Sequence, residues 1–155
     1  METDPPKEYT FEEILDETGY LVYTNVGISM MPLLRQRRDV IEIRKKEPGR
    51  CKKYDVVLYK RGSKYILHRI VKVRPKDYVI VGVHCVRREY GITDDMILGV
   101  MTRVIRDGKS IYPTDWRYKL YYHLWVDFYP IRAFILILKA MARGTARRLK
   151  RLIRK

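Results

Sequence analysis

The sequence predicts a mainly β protein: a curled antiparallel sheet or partly open barrel, with a short N-terminal helix and a C-terminal amphipathic basic helix. Three observations carry this. Short runs rich in Val, Ile and Tyr recur between residues 20 and 112, separated by Gly, Pro and Asp turn signals. A capping pattern stands before the first run, and a helical period of apolar and basic residues follows the last. The chain has 155 residues, which is single-domain size and enough for a real core.

In chain order, "TFEEILDET" (10–18) reads as a short helix. Thr10 and Glu13 have the spacing of a capping box, acidic residues crowd the first turn, and Gly19 suits the C-terminal stop. Phe11, Ile14 and Leu15 form one apolar side, so this helix should cover one end of the sheet. Strand signals follow in "YLVYTNV" (20–26) and in the alternating "DVIEIRK" (39–45). "YDVVLYKR" and "KYILHRIVKV" are separated by Gly62-Ser63, a hairpin turn. "DYVIVGV" comes next, then "ILGVMTRVIRDGKSIY", which contains its own Asp-Gly turn.

The composition changes near residue 115. Residues 1–115 read as the β-domain, and 116–155 as an aromatic and basic helical segment. From Ile131, at about 100° per residue, Phe134, Ile135, Leu138, Met141, Leu149 and Leu152 fall on one side. Arg132, Lys139, Arg143, Arg147, Lys150 and Arg154 lie opposite or on the flanks. Lys139 to Lys155 holds eight Lys or Arg and no acid, within a chain of formal net charge +15. An apolar face bordered by cations is the pattern of an interfacial helix, so Pro130–Lys155 is expected to lie on an anionic membrane surface. A helix packed on the domain with its basic face in water is the plainer alternative. The charge also fits nucleic acid, but no reading module accompanies it and no specific nucleic acid is predicted.

Other classes are excluded or weakened. The two cysteines, Cys51 and Cys85, are too few for a disulfide framework. His68, His84 and His123 have no ligand spacing with each other or with a cysteine, so neither a metal nor any other cofactor is expected. No Gly-rich phosphate loop occurs. The chain opens without the basic and apolar regions of a secretory signal, and no run reaches the length of a spanning helix.

Two features remain. In "GISMMPLL" (27–34) a strand gives way to a turn that Pro32 keeps from continuing as a regular helix. Such a turn can present the Ser29 hydroxyl with backbone N–H groups nearby; it is also where an ordinary turn serine would sit. In "YILHRIV" (65–71), Ile66, His68 and Ile70 share one strand face and Leu67, Arg69 and Val71 the other. A partly buried imidazole is an ordinary core histidine, or a general base if a hydroxyl lies within reach.

Together these stretches resemble the type I signal peptidase and LexA-like repressor autoprotease superfamily. "GISMMPLL" is similar to its Gly-x-Ser-Met-x-Pro-x-Leu box. "KYDVVLYKR" resembles its Gly-Asp-Ile-Val strand, with Lys53-Tyr54 in place of the usual glycine neighbourhood. "YILHRIVKV" resembles the box carrying the general base, with the His-Arg pair of the histidine-type signal peptidases. "MILGVMTRV" resembles the closing strand. The resemblance covers roughly residues 20–106. It implies the superfamily's mostly antiparallel fold, Ser29 as nucleophile and His68 as base. Backbone N–H groups near Ser29 would form the oxyanion hole, and Gly27, Met30 and Pro32 would shape the turn and the substrate site. The substrate would be an extended peptide added as a strand.

The chain departs from the family in two places. After the base-bearing hairpin the family has Gly-Asp-Asn, and its Asp orients the histidine; here Gly82 is followed by Val83 and His84. Glu89 is the nearest acid at a spacing where the family often carries a second one, ahead of Asp94 and Asp95. The options are a Ser-His dyad, a triad with a displaced acid, or a degenerate member. The second departure is the acidic helix before Tyr20, where the family has a membrane anchor or a helix-turn-helix domain. The reading is a serine endopeptidase held peripherally at the cytoplasmic face of the membrane by its C-terminal helix. The alternative is a catalytically degenerate β-domain that binds extended peptides.

Overall fold

The computed structural model describes residues 9–24, 29–31, 33–82 and 87–128, together with Phe134, Ile135, Leu138 and Met141. Its first element is helix α1 (Phe11–Thr18), and both halves of the expected capping box are formed. The Glu13 N–H donates to Thr10 Oγ1 at 3.2 Å, and the Thr10 N–H to Glu13 Oε2 at 2.7 Å. Gly19 ends the helix at φ 77°, a left-handed conformation that glycine adopts without a Cβ clash. Leu15 is buried, and Phe11 and Ile14 pack beside it on the sheet.

Eight strands follow: β1 (Tyr20–Thr24), β2 (Val40–Lys45), β3 (Val56–Arg61), β4 (Lys64–Val73), β5 (Tyr78–Val81), β6 (Arg88–Ile92), β7 (Ile97–Arg106) and β8 (Lys109–Ile111). They form one antiparallel sheet in the order β1-β2-β7-β3-β4-β5-β6, with β8 pairing β7. The sheet is not closed, so the mainly β class holds and β1 and β6 are the ends of the path. The two hairpin turns fall where Gly62-Ser63 and Asp107-Gly108 stand. Asp107 (φ 50°) and Gly108 (φ 74°) are both left-handed, as a two-residue turn matched to strand twist requires. Strand β6 carries no strong strand signal in "REYGI" and is additional to the strands predicted.

Strand β3 is buried on both faces and divides the interior. Val56 and Leu58 enter one core with Leu15, Leu21, Met30, Leu34, Ile41 and Met101. Val57 and Tyr59 enter the other with Ile70, Tyr78, Ile80 and Ile92. The period of two along one strand therefore serves two apolar clusters. Strand β7 approaches β2 closely at Gly99, where a Cβ would meet the Arg44 carbonyl oxygen at 2.6 Å.

Helix α2 (Trp116–Asp127) packs on the first core through Tyr118, with Tyr121, Tyr122 and Trp125 alongside. Its anchor is Arg69, which is 1 % exposed. Arg69 donates to the Tyr118 hydroxyl at 2.8 Å and to the Tyr54 carbonyl at 2.6 Å. Its guanidinium also lies over the Tyr118 and Tyr122 rings. At the far end of the helix Asp127 takes bonds from Lys53 Nζ (3.1 Å) and the Tyr54 hydroxyl (2.9 Å), and lies 2.9 Å from His123 Nδ1. With His123 first among these causes, the Asp127 carboxyl is held down at about 2. Tyr54 adopts φ 80°, unusual for a bulky side chain. Its ring stacks on Tyr122 at 4.5 Å, which ties the strained residue to the helix.

Among the described residues no helix is long and apolar enough to cross a membrane. Most of the predicted interfacial segment Pro130–Lys155 lies outside them, but Phe134, Ile135, Leu138 and Met141 are helical and exposed.

Candidate active site

Ser29 lies in a turn and is half-buried. The next residue, Met30, is 1 % exposed and anchors the turn in the first core. The Leu34 N–H closes back on the Met30 carbonyl at 2.9 Å. Beyond it, buried Asp39 accepts from the Arg35 N–H at 2.9 Å and pairs with Arg106 from the end of β7. Arg106 also donates to the Leu33 carbonyl at 2.6 Å. Burial would raise the Asp39 carboxyl, yet the Arg106 bonds hold it below the ordinary carboxylate range. The serine turn is thus fastened at Met30 and at Asp39. Gly27 and Pro32, the other residues predicted to shape it, lie outside the described residues.

His68 sits in β4 directly across from Val57 of β3. As the alternation predicts, it faces the second core while Leu67 enters the first. Only 7 % of its surface is exposed. Its Nδ1 lies 3.3 Å from Glu89 Oε1 and 3.2 Å from the Tyr59 hydroxyl. The Tyr59 hydroxyl donates to Glu89 Oε2 at 2.9 Å, and Arg61 donates to the same oxygen at 2.7 Å. Tyr59 and Arg61 come from β3, His68 from β4, and Glu89 from β6.

The network assigns the imidazole proton. The Tyr59 hydroxyl spends its hydrogen on Glu89, and the carboxylate only accepts. Nδ1 must therefore carry the hydrogen and donate it toward Glu89 or the tyrosine oxygen. Nε2 is then the unprotonated nitrogen, with a lone pair for an incoming proton. Desolvation is the largest influence on the ring and holds it below the ordinary histidine value of 6.5. The Glu89 charge opposes that shift, and Arg61 adds to it.

Sequence reasoning ranked Glu89 as the acid nearest to hand, and the fold brings it to His68. Val83, the departure from the family pattern, lies outside the described residues. Asp94 is elsewhere, bonded to the Tyr78 hydroxyl at 2.6 Å. Tyr59 and Arg61 were not singled out; the alternation of "VVLYKR", which puts Tyr59 on the face of Val57, was the signal available. Ser29 and His68 are not joined by a hydrogen bond, and Met30 and His68 belong to opposite faces of the sheet. No group of three His, Cys, Asp or Glu that could hold a metal ion occurs among the described residues.

No protein-family model matches this chain, and neither a curated protein nor a solved structure does.

Proposed function

We propose that this protein is a serine endopeptidase of signal-peptidase type, with Ser29 as nucleophile, His68 as general base and Glu89 as the acid that orients the base. The observation that carries the reading is the imidazole: buried, held below the ordinary histidine value by desolvation, with Nδ1 3.3 Å from Glu89 Oε1 and 3.2 Å from the Tyr59 hydroxyl, which leaves Nε2 for an incoming proton. In the proposed reaction Ser29 Oγ attacks a peptide carbonyl as Nε2 takes its proton, and the imidazolium formed lies against the Glu89 charge. The same proton is then given to the leaving amine, and water releases the acyl group by the reverse roles. Backbone N–H groups of the turn at Ser29 and Met30 would receive the oxyanion. Catalytic hydrogen bonds are often long before substrate binds, and this reading requires Ser29 to come within reach of Nε2 in the substrate complex.

The substrate is an extended peptide. β1 is an end strand of the sheet, and Ser29 follows its last residue, Thr24, by five positions in the chain. A peptide paired to its open edge is carried toward Ser29 by main-chain bonds alone. The antiparallel sheet, the buried Met after the serine and the hairpin that carries His68 support the signal-peptidase and LexA-like version of the fold. The basic, apolar segment Pro130–Lys155 would hold the enzyme peripherally on an anionic membrane at the cytoplasmic face.

A second reading, a peptide-binding β-domain without catalysis, is favoured by the missing Ser29–His68 bond. Peptide-library cleavage by the full chain, Ser29→Ala and His68→Ala separates the two. Loss of cleavage in both variants supports the peptidase; equal cleavage by all three removes it. Binding of extended peptides without cleavage by any of them points to the second reading.

A further inference from the structure

The β4-β5-β6 end of the sheet carries a groove of ≈ 800 Å³, bordered by Val126 and Asp127 of the last turn of α2. Lys53, Lys72, Arg74, Arg88 and Tyr90 line it, and Asp127 is its single carboxylate. That carboxylate is already engaged by Lys53 at 3.1 Å. Arg74 stands over the Tyr90 ring at 5.0 Å, with Asp77 no nearer than 3.8 Å. Lys72 is exposed and makes no ion pair among the described residues. Tyr90 is 59 % exposed and Val73 38 %, so an aromatic and an aliphatic surface border the cations.

We infer that this groove is a binding site for the phosphate-bearing headgroups of anionic lipids. The inference rests on the membrane attachment proposed for Pro130–Lys155, and adds to it a site on the β-domain. Cations that outnumber the carboxylates in a concave surface focus a field on anions. Exposed Tyr90 and Val73 suit the boundary between headgroup and acyl chain, where an amphipathic ring is at home. The groove also lies where the chain leaves α2 for the basic tail. Phe134, Ile135, Leu138 and Met141 follow, exposed and apolar at helical spacing. Nucleic acid would engage the cations but gives those side chains no burial, whereas a bilayer satisfies both.

The strand geometry joins this groove to the imidazole site. On β6, Arg88 and Tyr90 are exposed toward the groove, and Glu89 between them turns inward to His68. A lipid surface held by the outer face would therefore sit one strand thickness from the acid that orients the base.

The test is flotation of the full-length protein with vesicles of phosphatidylcholine alone and of phosphatidylcholine with 30 % phosphatidylglycerol, roughly the charge of an anionic leaflet. The groove pair Lys72→Glu with Arg74→Glu is compared with a control pair on another face, Lys109→Glu with Lys119→Glu. Both make the same change in net charge. The groove pair is expected to lose about tenfold or more in affinity for the anionic vesicles, and the control pair much less. Equal losses overturn the site and leave only general charge attraction. The neutral pair Lys72→Gln with Arg74→Gln should lie between wild type and the reversed pair, and it carries the test if the reversed pair misfolds. Leu138→Asp with Met141→Asp examines the tail. Binding lost with the tail variant but kept with the groove pair overturns the headgroup site alone. Binding unchanged in both overturns the tail reading as well. Tighter capture of a single-stranded oligonucleotide than of anionic vesicles, weakened by the groove pair, overturns the lipid assignment in favour of nucleic acid.

Discussion

Oε1 of Glu89 lies 3.3 Å from Nδ1 of His68, although the two are carried by strands that do not pair with each other. Strand β5 stands between β4 and β6, and the curl of the sheet brings the acid over it to the ring. Glu89→Gln keeps the shape and removes the charge. Turnover is expected to fall, by as much as about 10⁴-fold where an orienting acid is fully required. On the proposed peptidase reading, the acid limb of kcat/KM in the unmutated protein should lie below pH 6.5, because the buried ring resists protonation. Glu89 opposes that shift, so in Glu89→Gln the limb moves to still lower pH. An unchanged pH profile would show that Glu89 does not face the working base.

His68 also links stability to pH. Its folded value lies below the value of 6.5 for a free ring, so between the two the unfolded chain holds more protons. The His68 contribution is present above about pH 6.5 and is lost as pH falls toward the folded value. Urea unfolding at stepped pH should show stability falling on acidification through that window. His68→Gln should flatten this part of the curve.

Tyr59 acts through its hydroxyl, which bridges Glu89 and His68. In Tyr59→Phe the core volume stays and one buried donor is lost, at a stability cost of about 1 kcal/mol. In the proposed mechanism Tyr59 would orient the acid through its bond to Glu89 rather than touch substrate, so kcat should fall about fivefold to tenfold with KM little changed. A change confined to KM would place Tyr59 in substrate binding instead.

Arg69→Met separates packing from charge. Methionine can fill much of the buried space, but it leaves the Tyr118 hydroxyl and the Tyr54 carbonyl without their donor. The loss should be about 3 kcal/mol, measured by urea or thermal unfolding, with α2 opening first in hydrogen exchange. A variant as stable as wild type, with α2 protected, would mean that the aromatic contacts alone hold the helix.

Gly99→Ala tests the closest approach of β7 to β2. The added methyl would stand 2.6 Å from both the Arg44 carbonyl oxygen and Ile43 Cγ2. The backbone oxygen cannot yield as a flexible side chain would, so a loss of about 2 kcal/mol is expected in unfolding experiments.

The signals that were legible in the sequence are those that act locally. Thr10 with Glu13, Gly62-Ser63 and Asp107-Gly108 each determine a cap or a turn through their own backbone chemistry, and each lies where expected. The face assigned to His68 follows from a period of two. Strand β6 was not legible because Arg88, Tyr90 and Gly91 are exposed and only Ile92 is buried, so its alternation is faint. Arg69 was half legible: its face could be counted, but a buried guanidinium clamped on Tyr118 depends on a helix arriving from far along the chain. Meeting of Glu89 with His68 was similarly a matter of curl. The family resemblance singled out Glu89 by its spacing, but its approach to His68 required β5 to carry β6 around, which no local signal in the sequence encodes.

His68 and Arg69 leave adjacent positions on β4 toward opposite faces, one ending at Glu89 and the other beneath α2. A fragment cut before Trp116 would take Tyr118 and Tyr122 from Arg69, leaving the Tyr54 carbonyl as its remaining acceptor and a charged side chain in the wall of the core. The strand would have to rotate or shift to bring that charge to water, and the imidazole would turn with it. A minimal version of this protein therefore cannot be trimmed to its sheet. The shortest piece worth expressing runs through Phe128, and a purification tag belongs beyond that point.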